Sequence, residues 1–256
     1  MPCAARGHTS AGRGAGFMER IEVRVDHAPE ASPPASDEAR GGHLGFVAHE
    51  IRNPLSTALW TAELLARMPA TERAGPRGEK LSSMCLRAVA RVRQLVEDHL
   101  LTERLDIGGL PLRLEAVGVA EVVGAVLGRR APDAAPASAA VDPTLAVEVD
   151  RSLLERAVEA LVSVAGAERT PVTVGARATD QEVTVTVAGC SADAARLADP
   201  VKGSPSDPTG RALAVPLARR IAVALGGALA AGEGGWRLTL PRARAYTARP
   251  PSAASP

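Results

Sequence analysis

His49 and Glu50 sit side by side in the run Phe46-Val47-Ala48-His49-Glu50-Ile51-Arg52-Asn53-Pro54-Leu55-Ser56. On a helix this pairs a nucleophile with a base. An unperturbed imidazole has a pKa of about 6.5, so at neutral pH most of it is neutral and nucleophilic. The plain alternative is a surface histidine on an ordinary amphipathic helix. A His-Glu pair also begins the zinc-protease motif, which needs a second histidine one helical turn on. Position 53 is Asn, so that metal site is not closed and no metal is expected.

The run resembles the phosphoacceptor box of two-component sensor histidine kinases, His-Glu-Ile/Leu-Arg-x-Pro-Leu, and matches all six of its fixed positions. The resemblance implies that His49 carries a phosphoryl group as a phosphoramidate. It implies that Glu50 orients the ring or takes its proton. Asn53, one turn from His49 on the same face, stands where relatives place a polar residue that positions water. Arg52 is read as a surface partner for a carboxylate. His43, nearby, has no adjacent acid.

The elements that must position these residues follow from periodicity. From about residue 36, with Ser36 and Asp37 as a cap, Leu44, Ala48, Ile51, Leu55, Ala58, Ala62 and Leu65 recur at gaps of four and three, the seam of a helical bundle. His49 falls just beside that seam, facing solvent. Pro54 removes the hydrogen bond to the Glu50 carbonyl and predicts a kink. Pro69, Gly75, Pro76 and Gly78 mark a turn. A second helix then carries Leu81, Cys85, Ala88, Val92, Leu95 and His99, to about residue 105, and His99 is expected to pack with its nitrogen capped. One hairpin cannot enclose a core, so two chains are expected to form a four-helix bundle.

The remainder alternates strand and helix patterns. Strands are expected at 112–114, 145–149, 172–178, 182–187 and 236–240, and helices at 119–127, 150–165 and 213–225. Residues 129–140 read as a loop. The order resembles the α/β sandwich that carries ATP in histidine kinases. The fold class is therefore α+β: a helical hairpin forming a dimeric bundle, then a sandwich of the histidine-kinase ATPase type. The expected division is a disordered segment 1–36 with a strand remnant at 21–25, a phosphoacceptor domain 37–107, an ATP-binding-like domain 110–242 and a disordered tail 243–256.

The boxes by which this family holds ATP are weak here. Ala160 and Val164 stand at the two asparagine positions, and neither offers a ligand for Mg²⁺, which takes oxygen donors. Val187 replaces the adenine-binding acid, leaving Gly189 alone of the Asp-x-Gly-x-Gly pattern; sliding the register recruits Asp193 but loses the glycines. Of the glycine-rich phosphate loop only Gly210 remains, and Pro208 lacks an N–H. The lid box, 197–202, has no phenylalanine, and Lys202 reads as solvated. No cofactor is expected, ATP with Mg²⁺ being the alternative.

Composition bounds the partners. The net charge of +1 across 256 residues gives no pull toward nucleic acid or anionic membrane. Aromatics are 2%, so the core must be aliphatic. Cys3, Cys85 and Cys190 show no metal spacing. No apolar run nears the roughly 18 residues that span a bilayer, and a cytoplasmic protein is expected. Three functions stay open: a phosphotransfer protein exchanging phosphoryl groups between His49 and a response-regulator receiver, a sensor kinase that autophosphorylates His49 with ATP, and a non-catalytic pseudokinase interaction module.

Overall fold

The computed structural model describes residues 37–131, 134–200, 211–244 and 246. The expectations at 21–25, Ser36, Lys202, Pro208 and Gly210, and on most of the tail, lie outside them. Helix α1 (Asp37–Arg67) runs unbroken through Pro54. After the short helix α2 (Ala70–Arg73), α3 (Pro76–Asp106) returns antiparallel. Pro76 opens α3, where its missing N–H costs nothing. Gly78, expected in the turn, lies inside α3. A Cβ there would stand 2.0 Å from the Arg73 carbonyl oxygen, so only glycine lets the helix start this close to α2. The Cys85 thiol donates to the Ala58 carbonyl at 3.5 Å, which sets the level at which the two helices meet.

The seam read on α3 is the one it buries within the chain: Leu81, Ala88 and Leu95 are buried, with Cys85, Val92 and His99 partly so. On α1 the expectation needs correction. The stripe pressed against α3 is His43, Val47, Glu50, Ala58, Thr61 and Met68. Leu44 and Leu55 of the expected seam are 55% and 54% exposed. Residues one position apart on a helix diverge by about 100°, so the leucine seam points away from α3. Polar groups are accommodated on the inner stripe because Thr61 returns its hydroxyl to the Thr57 and Ala58 carbonyls at 2.8 and 3.0 Å.

The second domain is built on β1 (Glu115–Gly118), α4 (Val119–Gly128), β2 (Ala137–Ala140), β3 (Ala146–Val149), α5 (Arg151–Ala167), β4 (Val172–Ala178), β5 (Glu182–Ala188), α6 (Ala214–Ala224), β6 (Ala228–Gly232) and β7 (Gly235–Pro241). β1 and β3 form a small antiparallel pair. The main sheet runs β2-β4-β5-β7-β6, with β2 parallel to β4 and the other pairs antiparallel. Alternation along β5 turns Val183, Val185 and Val187 into one layer with Trp236, Leu238 and Leu240 of β7. Leu154, Val158, Leu161 and Ala165 of α5 and Leu217 and Ile221 of α6 cover it.

Two local expectations are corrected, and one strand appears where none was expected. Residues 112–114 are not a strand: the Arg113 N–H goes to the Asp150 carboxylate at 3.1 Å instead of a ladder partner. That carboxylate also caps α5, accepting from Ser152 and Leu153. Residues 137–140, read as loop, form the exposed edge strand β2. β6, made of alanine, leucine and glycine without a β-branched residue, carried no strand signal and exists through its pairing with β7.

Candidate phosphoacceptor site

α1 presents His49 to solvent, while Glu50 is 7% exposed on the face toward α3. The neighbours thus diverge, as consecutive helical residues must. Asn53 is exposed one turn along, and its carbonyl accepts from the Thr57 hydroxyl at 3.1 Å. Arg52 is exposed as well. The structure therefore brings His49 and Asn53 onto one open face and sets the Glu50 carboxylate behind them.

Beneath His49, Phe46 and Val47 close with Leu95 of α3 and Leu213 at the start of α6 into a small apolar cluster, joined by Ile51 and Ala212. The second domain is thus seated on the hairpin within a turn of His49. Three polar links reinforce the seat. Arg156 of α5 pairs with Asp98 of α3. Arg220 of α6 donates to Asp106 of α3 at 2.7 Å and makes a two-pronged pair with Asp199. The Pro200 carbonyl lies 3.3 Å from His43 Nδ1. Burial disfavours the charge on Asp98 and raises its pKa, against the pull of Arg156, Gln94 and Arg91. Burial acts the same way on Asp199, but the hydrogen bond and charge of Arg220, with help from His43 and Arg219, hold it below the usual carboxylate value.

His43 is 8% exposed and is no rival acceptor; its ring centroid lies 5.8 Å from that of His99. His99 was expected to have its nitrogen capped. Its Nδ1 has no hydrogen-bond partner among the described residues, and neither does His43 Nε2.

Of the residues that the resemblance aligns with the nucleotide boxes, Val164 and Val187 are 1% and 0% exposed, locked into the aliphatic core, and Ala160 packs against its edge. Gly189 has φ +103°, and a Cβ there would meet the Pro171 carbonyl oxygen at 2.2 Å. The backbone alone demands that glycine. The following turn is closed by Glu168, whose carboxylate accepts the Ser191 N–H at 3.1 and 3.2 Å. Asp193 is spent on a local cap, accepting from Ala195 N at 2.9 Å. Arg211 lies over α5 and donates to the Ser163 hydroxyl at 2.6 Å. Among the described residues, no group of three or more His, Cys, Asp or Glu could hold a metal ion. Nor is any of their helices long and apolar enough to cross a membrane.

Residues 39–108 match the family model of the His Kinase A (phospho-acceptor) domain. The fold is that of solved histidine kinases. The Acinetobacter baumannii histidine kinase AdeS superposes with a TM-score of 0.53 at 20% identity, over 76% of this chain and 96% of that one. The chain thus carries a histidine-kinase phospho-acceptor domain at residues 39–108 and resembles the two-component sensor histidine kinases. The histidine kinase ThkA, solved in complex with the response regulator TrrA, superposes with a TM-score of 0.53 at 19% identity, over 78% of this chain and 61% of that one. The cell-division control histidine kinase PdhS of Brucella ovis is 29% identical over 120 residues, which are 45% of this chain and 11% of PdhS. The match thus spans a small part of that curated protein's length.

Proposed function

We propose that this protein is a histidine phosphotransfer member of its family: a homodimer in which His49 exchanges a phosphoryl group with a response-regulator aspartate, without using ATP. The observation that carries the reading is the contrast between two sites. His49 and Asn53 stand open on α1, while the positions that hold Mg²⁺ and adenine in relatives are filled by Val164 and Val187, sealed in the core. In the transfer, a neutral imidazole nitrogen attacks the phosphorus of the receiver's acyl phosphate. An N–P bond forms, the P–O bond to the aspartate breaks, and the carboxylate leaves. Glu50 holds or takes the ring proton, and the receiver supplies its own aspartate and Mg²⁺.

Dimerisation is supported by the leucine seam. Leu44, Leu55 and Leu59 on α1 and Leu86, Val89, Val96 and Leu100 on α3 are all 40% or more exposed in one chain. A second hairpin would cover them in a four-helix bundle. That ThkA was solved with a response regulator supports the choice of partner.

The test follows radiolabel on His49 in purified protein incubated with ATP·Mg²⁺ and, separately, with pre-phosphorylated receiver domains. Label from a receiver and none from ATP is the expected result. Label from ATP would replace this reading with the autokinase one, and label from neither source would leave the interaction module.

A further inference from the structure

Two neighbouring features of the second domain serve neither its core nor His49. The first is the free edge of the main sheet. β2 pairs with β4 on one side only, and all four of its residues are exposed. The Pro136 carbonyl accepts from the Val172 N–H at 2.8 Å, and the direction of backbone groups alternates along a strand. Ala137 and Ala139 therefore turn their N–H and C=O groups away from β4. The strand is made of alanine and serine alone, without the lysine or proline that usually blunts an edge.

The second feature begins where β2 does. Ala135 and Pro136, with the outer side of α5, border an open cavity of about 730 Å³. Arg129, Arg130, Arg169 and Arg211 line it, against a single acid, Glu159, which already pairs with Arg156. In a chain whose net charge is +1, this is a local concentration of positive charge. Ala160, Val164 and Val187 do not line it. Arg130 is built into the wall. It donates to the Ala135 and Val162 carbonyls at 2.9 and 3.4 Å, which hold its charge without neutralising it. It crosses α5 at Gly166, where a Cβ would stand 3.0 Å from the guanidinium. Arg129 shares the Glu155 carboxylate with Arg151. Arg169, with φ +58°, is exposed between α5 and β4.

We infer that this surface binds an extended acidic peptide of a partner protein, which adds as a strand to the free edge of β2 and sets its carboxylates among Arg129, Arg130, Arg169 and Arg211. Main-chain bonds to Ala137 and Ala139 supply the register, and the arginines, whose planar forks match carboxylates, select the acid. At about 3.3 Å per residue, about six to eight residues span β2 and the cavity. A free anion would use the arginines alone and a neutral strand the edge alone; an acidic strand uses both. The site stands apart from His49 and does not rest on the phosphotransfer reading.

The experiment uses the full-length protein and a fluorescent peptide of about eight residues, glutamates followed by alternating valine and threonine, read by anisotropy. Saturable binding that weakens with salt is expected, and a peptide with lysine in place of glutamate should not bind. Arg169→Asn keeps a residue that tolerates this φ and should weaken binding about tenfold or more, the loss of one charge-assisted bond. Ala139→Pro removes an outward N–H and none of the bonds to β4, so the edge tolerates it; it should weaken binding about threefold or more. Thermal scans matching the wild type show that both variants are folded. N-methylating alternate peptide bonds of the probe removes the same ladder without altering the protein and should abolish binding. No binding of the acidic peptide would overturn the inference. So would binding that survives N-methylation, which would make the cavity a site for free anions. A free-protein mass that falls in Ala139→Pro would overturn it too, because a second copy would then cover β2.

Discussion

Asp98 on the hairpin and Arg156 on α5 form an ion pair whose side chains are only 10% and 21% exposed. A pair removed from water gains little net stability, but breaking one side leaves a charge that burial penalises. Arg156 also reaches Glu159 at 3.2 Å, and Gln94 donates to Asp98 at 3.0 Å, so the pair is the centre of a small network that fixes the second domain on the hairpin.

Arg156→Ala should therefore cost about 3 kcal/mol, because Asp98 is left buried with Gln94 as its direct donor. Chemical denaturation checks the cost. The pH dependence has a defined sign. The folded-state pKa of Asp98 is raised by burial, so its contribution favours the native state fully below the unfolded carboxylate value and is lost as pH rises through the folded value. Without Arg156 that pKa rises further. The destabilisation in the variant should shrink on acidification, and a loss that is flat with pH would contradict this.

Arg220 gives the opposite sign. Its contacts with Asp199 hold the Asp199 pKa down, so their stabilisation is present above the unfolded carboxylate value and disappears as pH falls through the folded one. Arg220→Gln should destabilise the protein at neutral pH by about 1–2 kcal/mol, the range of hydrogen bonds to charged groups. It should match the wild type in strong acid. Parallel thermal scans at neutral and strongly acidic pH decide the matter.

The bundle interface is testable at Leu55 and Leu100, 54% and 51% exposed in the single chain. Leu55→Asp should give monomers, because a carboxylate on the covered seam would be buried unpaired. Multi-angle light scattering at micromolar concentration reads the mass directly, and a wild-type monomer would refute the dimer. Ile51 is a poorer probe, since it also packs on the cluster with Leu213.

How much of this was legible in the chain depends on whether a signal was local. The α3 seam, the β4–β5 hairpin and the helix from about residue 150 were readable because periodicity and turn chemistry act over a few residues. The choice between two adjacent stripes of α1 was not. Both repeat at gaps of four and three, and which meets α3 is settled by the partner helix. That His43, Glu50 and Thr61 lie inside runs against their polarity; contacts such as the Thr61 hydroxyl returning to backbone carbonyls make it tolerable. The links Asp98–Arg156 and Asp106–Arg220 join residues 58 and 114 positions apart, beyond any local pattern.

The nucleotide positions predict a specific failure. Restoring the family's acid by Val187→Asp should not restore ATP binding and should destabilise the domain by several kcal/mol, because the site is 0% exposed and lined by valine, leucine and tryptophan. Calorimetric titration with ATP·Mg²⁺ should give no binding heat for the wild type or for Ala160→Asn. A micromolar dissociation constant for the wild type would overturn the ATP-independent reading.

The last test separates chemistry from structure at the acceptor. His49 is exposed, so His49→Gln should abolish phosphoryl transfer while changing stability by less than about 0.5 kcal/mol, as surface substitutions do. Glu50 is 7% exposed and touches both roles. Glu50→Gln keeps its size and should slow transfer by about 10²-fold if the carboxylate manages the ring proton. Glu50→Ala should add a stability loss, because it opens space on the face against α3. The bond formed should be acid-labile and base-stable, as a phosphoramidate is and an acyl phosphate is not. If Glu50→Gln transfers at the wild-type rate, the carboxylate is a packing residue and the imidazole acts unaided. If label persists in His49→Gln, the acceptor lies elsewhere, and His43, buried at 8% exposure, would have to become accessible to replace it.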